Sequence, residues 1–374
     1  MHAIFEPHEL TACGTLTGVR LIPVVLAVLL LASCGSAPPP AGTRFTRVEL
    51  PPGSAPVRIA AAGDELVVAV SKDGGPGIVR HRDGENTEVP LTPATGYGAE
   101  AIWYSLAADG REIVAIGGKR GGAHGTVRWS VWRTTGTGMA EQPQAFSTFG
   151  GLGAGDLVDA VLPTTGPLLV GTWQSHSAGL DPSVWTTDGS VWTRRISTGT
   201  PLESTRAALK FPMAATSHGA DVVIAGWQFV KGAQQPVVWT LRDGTATLTP
   251  LPDAGKLGNA TTVTCEDTCS VAGRVDGRLA VWQGSGNAWR RVPDVPEVPV
   301  GDKDRPPPPL GDTLVYSDRG NVRIATLSGG TRDAVGPTGV VTGVARVGDS
   351  VYVLAGPSND SQDNNQTLWR AGPG

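Results

Sequence analysis

Charge is scarce in this chain of 374 residues: only 17% are Asp, Glu, Lys or Arg, and they nearly cancel at a net −4. Without a basic excess nothing holds a phosphate backbone, so nucleic acid is not expected as a partner. Four cysteines are too few for a disulfide scaffold of this length, and four tyrosines leave little choice for chemistry that needs one. No apolar run approaches the roughly 20 residues of a membrane-spanning helix. Glycine and proline, by contrast, number 51 and 30, about a fifth of all residues. Such dense punctuation excludes long helical bundles and coiled coils.

The longest apolar run, Leu21 to Ala32, follows Arg20 and has the length of a signal-peptide core. It ends in Leu31-Ala32-Ser33-Cys34-Gly35, which resembles the lipobox of bacterial lipoproteins. That resemblance implies a diacylglycerol on the Cys34 thiol, cleavage just before it, and a lipid-anchored protein at the outer face of the cytoplasmic membrane. The other reading is an ordinary cleaved signal with an incidental cysteine. Glu6 and Glu9 precede the run where a signal needs positive charge, so initiation is expected nearer Leu16 or Val19. Residues 1–33 are thus read as the signal and 34–43, rich in Pro, Gly and Ser, as a flexible tether. At about 3.3 Å per residue the tether reaches some 30 Å, which keeps residues 44–374 near the membrane.

Those remaining residues are a repeat. Short apolar runs ending in a small residue recur as LVVAV, EIVAIG, LLVG, VVIAG, SVAG and YVLAG, anchored at positions 70, 117, 171, 226, 273 and 356. Most anchors are followed by a Val-Trp or Leu-Trp pair, then an Asp-Gly or Gly-rich turn, then one more short strand. Four strands in 40 to 55 residues is the pattern of a β-propeller blade, which makes the chain all-β. A degenerate copy, GDTLVYS at 311–317, fills the long last interval and echoes GDSVYVL at 348–354. Seven four-stranded blades are expected. Six with an insertion is the alternative, because Pro306–Pro309 stand where the sixth blade's innermost strand belongs and proline cannot donate to a ladder. RFTRVEL at 44–50 resembles the outer strands and is expected to complete the last blade, closing the ring.

Thr187-Asp188-Gly189-Ser190-Val191-Trp192 resembles a loosened Asp-box of sialidase-type propellers, with the aspartate four rather than five residues before the tryptophan. That resemblance implies a glycoside hydrolase as an alternative, using a tyrosine with a glutamate, an aspartate and an arginine cluster. Only Tyr97, three residues from Glu100, falls on a plausible face, and no arginine motif is recognisable. No catalytic residue is assigned, and no cofactor or metal is expected. Cys265 and Cys269 flank a short turn and read as a disulfide in an exported protein, a metal or redox pair being the other reading. His81, His124, His176 and His218 read as isolated surface residues.

Short turns fall on one face of such a ring and the longer connections, including 119–128, 173–182, 227–236 and 357–366, on the other, which is expected to point away from the membrane. Two of these begin alike, with Trp173-Gln174 and Trp227-Gln228-Phe229. They are the candidate ligand-binding residues, a stacking platform with amide hydrogen bonds for a sugar or aromatic group, unless the tryptophans pack between blades. The function expected is a membrane-anchored binding or scaffolding module whose partner is a protein or carbohydrate. An assembly factor resembling the lipoprotein propellers of outer-membrane insertion machinery shares the architecture but has no motif here.

Overall fold

Each anchored apolar run forms the second strand of a blade, and its residues are apolar without alternation because both faces of every blade are covered by its neighbours. Leu66, Val67, Val68, Ala69 and Val70 are all fully buried for this reason. The computed structural model describes residues 42–121, 125–150, 154–358 and 365–372, so the signal segment and Cys34 lie outside the described residues. Seven sheets stand in a ring. Seven clusters of buried side chains join them, one at each junction between consecutive blades, the last joining blade 7 to blade 1. The chain is a seven-bladed β-propeller, and the six-bladed alternative is excluded.

Blades 1 to 5 are consecutive meanders, with first strands Ser54–Ala62, Ile102–Ala108, Leu157–Val161, Ala208–His218 and Gly258–Cys265. Two-residue turns join many strands, and residues such as Asp243 and Gly244, at φ 49° and 75°, take the left-handed conformation that matches strand twist. Blade 2 gains a fifth strand, Leu91–Thr92, parallel to Gly138–Glu141.

Blade 6 departs from the pattern as its prolines require. Its own strands are Thr313–Asp318, Asn321–Thr326 and Thr331–Thr338. The first of these is the GDTLVYS segment, the counterpart of the second strand of blade 7. The Arg305–Pro308 stretch instead lines the centre beside the innermost strands of the other blades. It is pinned by Thr262 Oγ1, which donates to the Pro306 carbonyl at 2.6 Å, and by Arg346, which donates to the Leu310 carbonyl at 2.8 Å.

Closure is more extensive than the sequence suggests. Thr46–Arg47 pairs antiparallel with Thr367–Ala371, giving blade 7 its outer strand, as expected. Thr43–Arg44 also pairs, in parallel, with the outer strand of blade 6. Between the two, Phe45 is buried in the cluster that joins blades 6 and 7. One short segment thus fastens two blades and covers two edges.

A second repeated device shapes the centre. The first strands of blades 1 to 5 and 7 each carry a register shift, at 56–58, 103–105, 157–159, 212–214, 260–262 and 341–343. Beside it in the second strand lies the anchor residue in blades 1 to 5, Val70 in the first and glycine in the other four, and in blade 7 Ala355, next to its anchor Gly356. At Gly226 an added Cβ would strike the Phe211 carbonyl and come 2.8 Å from the Trp239 ring. The third-strand tryptophan fills that space. Trp185, Trp239 and Trp282 are fully buried, and each indole N–H donates to a carbonyl of the linker entering its own blade, at Thr148, Pro201 and Pro252.

Candidate functional site: the central channel and the long-loop face

Bulges re-aim side chains, and here they turn first-strand residues into the middle of the ring. The result is a channel cavity of about 290 Å³. Its lining is mixed: polar groups come from Arg58, Tyr104, Ser105, Asp159, Thr261, Thr262, Thr342 and Arg305, with aliphatic side chains between them.

Asp159 is the most enclosed of these groups. One carboxylate oxygen accepts from the Ser105 hydroxyl of blade 2 and from its own neighbour's amide, Ala160 N, at 3.1 Å. The other accepts from Ala215 N of blade 4 at 2.9 Å. A single side chain therefore ties three blades together at their innermost strands. Burial pushes its carboxyl above the ordinary range, opposed by these hydrogen bonds and by the Arg305 charge. Burial likewise lowers the Arg305 guanidinium, with the Asp159 charge acting the other way. Arg58 is spent partly on backbone, donating to the carbonyls of Tyr104 at 3.0 Å and Val57 at 2.8 Å.

Neither Asp159 nor Arg305 stands out from the sequence as a site residue. Asp159 carried a readable signal: it sits at the bulge opposite the LLVG anchor, where Leu157 pairs with Gly171. Arg305 opens the proline run, and the prolines overshadow it.

The residues expected to form a platform do not meet. Strand alternation puts Trp173 on the face of blade 3 that turns to blade 2, where it lies 6.3 Å from the Trp185 ring and beneath Arg194 at 4.6 Å. Trp227 lies on the face of blade 4 that carries Val223 and Ala225 toward blade 5, stacked on Phe211 at 4.1 Å. A whole blade junction separates them. Gln174 is exposed, while Gln228 is buried and donates to Gln235 Oε1 at 2.7 Å. Phe229 is exposed. All five belong to strands rather than loops, because the hairpin of blade 4 runs paired as far as Val230 and turns on Lys231 and Gly232 alone. The long connection at 227–236 is accordingly corrected to a projecting hairpin.

Tyr97 and Glu100 are also apart in their contacts. Glu100 pairs with Lys119 at 3.2 Å. Tyr97 lines a separate groove of about 330 Å³ at the end of blade 2 that carries its 119–128 connection, where the Arg128 guanidinium lies 4.2 Å from the Phe146 ring and 6.0 Å from that of Tyr97. His81 is buried rather than at the surface, its Nδ1 2.9 Å from Asn86 Oδ1 and its ring edge-on to Tyr352, because its strand turns it into the junction with blade 7. Cys265 and Cys269 are joined by a disulfide across the first turn of blade 5. No cluster of three metal-binding side chains occurs among the described residues.

The fold and this geometry define the class of protein: a propeller with a lined central channel. No family model matches the chain, and no curated protein sequence matches it. Among solved structures it is similar to YCF48 from Cyanidioschyzon merolae, at 12% identity and a TM-score of 0.52, covering 89% of this chain and 99% of that one. It is similar also to the β-propeller domain of the Trilobed protease from Pyrococcus furiosus, at 11% identity and 0.51, covering 85% and 95%. A third is a puromycin-hydrolyzing peptidase from Mycobacterium tuberculosis, at 14% and 0.51, with 87% of this chain but only 55% of that one covered. These likenesses establish the fold and no more.

Proposed function

We propose that the chain is an extracytoplasmic lipoprotein, held by a diacylglycerol on Cys34 at the outer face of the bacterial cytoplasmic membrane, whose propeller serves as a binding or scaffolding module. The carrying observation is the junction of sequence and fold at the N-terminus. The lipobox cysteine lies nine residues before Thr43, and from Thr43 onward the chain is zipped into blades 6 and 7. A pull on such an anchor is borne by two blades rather than by a loose end. The partner is a protein or carbohydrate met by the face that carries the longer connections, where the Tyr97, Arg128 and Phe146 groove offers rigid aromatic surface beside a cation.

Detergent phase partition of the protein from its host tests the anchor. Wild type enters the detergent phase with a diacylglyceryl mass on an N-terminal Cys34 peptide, and Cys34→Ser does not. Wild type in the aqueous phase, or a Cys34→Ser variant that partitions unchanged, overturns the reading.

A further inference from the structure

The channel presents one cation that the fold itself does not use. Among the described residues the Arg305 guanidinium has no hydrogen bond or ion pair, and the residue lines the cavity while staying accessible to solvent. Its nearest anionic neighbour in effect, Asp159, already accepts three donors from blades 2, 3 and 4. The backbone that carries Arg305 is stiff, because Pro306 to Pro309 fix their φ angles and Thr262 clamps the Pro306 carbonyl. Arg305 thus lines the cavity from a stiff backbone support, which lowers the entropy lost when an anion docks.

What surrounds it restricts that anion. Ile59, Met213, Val263, Pro307 and Val344 provide aliphatic wall, and hydroxyl-bearing residues such as Thr342 line the same space. A cavity of about 290 Å³ lies at the small end of ligand sites, which typically span about 300–1,000 Å³. A planar fork beside aliphatic walls suits a ligand with a carboxylate at one end and a short hydrocarbon body. We propose that the central channel is a binding site for a small aliphatic carboxylate, with its carboxylate on Arg305 and its chain against the walls of the first strands. The inference is independent of the lipid anchor and of the face that meets the partner.

Calorimetric titration of the full detergent-solubilised protein with sodium hexanoate tests it, with hexanamide and acetate as controls. Hexanoate is expected to bind about tenfold tighter than hexanamide, reflecting the charge-assisted contact, and tighter than acetate, which lacks the hydrocarbon body. Arg305→Met is expected to lower hexanoate affinity at least tenfold without lowering the melting temperature, since the side chain ties nothing together. Met213→Trp, which fills the cavity and leaves Arg305 in place, is expected to abolish binding as well. The proposal is overturned by any of three results: no hexanoate binding to wild type, equal affinity for hexanoate and hexanamide, or unchanged hexanoate affinity in both variants.

Discussion

Asp159 shows how one residue can be costly alone and still hold a structure together. Burial disfavours its charge, while donors from three blades converge on its oxygens. Because its pKa is raised in the folded chain, the fold binds the proton more tightly than the unfolded chain does. That contribution to stability is fully present below the ordinary carboxylate range and is lost as pH rises through the raised value. Urea unfolding of wild type and Asp159→Asn from mildly acidic to neutral pH should therefore show wild type losing ground to the variant as pH rises. A constant difference across that range would mean the carboxyl titrates normally. His81 teaches a related lesson: an isolated histidine in sequence was legible only as a surface residue, yet strand alternation carries it into a blade junction.

At the scale of elements the repeat was largely readable, and physical causes separate what was seen from what was missed. Second strands announce themselves because burial on both faces makes them continuously apolar, and third strands because of the Val-Trp pair. First strands carry weaker patterns, since their bulges break the alternation that sequence reading relies on. The channel residues Arg58 and Asp159 went unmarked for that reason, and Arg305 because it stands at the head of the proline run. The platform of Trp173 and Trp227 failed on a different point: two residues at matching places in adjacent blades point to different junctions when their parity along the strand differs relative to the anchor glycine's neighbours.

Trp239 donates to the Pro201 carbonyl at 3.1 Å, joining the third strand of blade 4 to the linker that enters it. Trp239→Phe leaves that carbonyl without its donor and should destabilise the protein by about 1–3 kcal/mol in denaturant unfolding. Trp369, whose indole N–H bonds locally to Thr367 at 2.7 Å and which is only half-buried, should lose less on the same change. Equal losses at the two positions would show that ring packing alone, without the linker clasp, sets the cost.

For the whole molecule the decisive feature is how the ring shuts. Seven junctions bury nearly all of the core, and no blade has a second layer of its own, so the ring depends on every junction being present. The segment that fastens blades 6 and 7 was partly legible: its likeness to outer strands pointed to blade 7, while its second attachment to blade 6 depends on a parallel pairing no sequence pattern marks. That attachment also supplies an outer strand to the blade that lost an inner one to prolines. Closure by residues 43–47 makes this segment a firm point of attachment, which the proposed lipid anchor on Cys34 would use. Paired cysteines at Thr46 and Arg370, which face each other across this seam, test it most directly. The account predicts that Thr46→Cys with Arg370→Cys forms an intramolecular disulfide in the monomer under mild oxidation, identified by peptide mass; free thiols, or disulfide-linked dimers in its place, would contradict it.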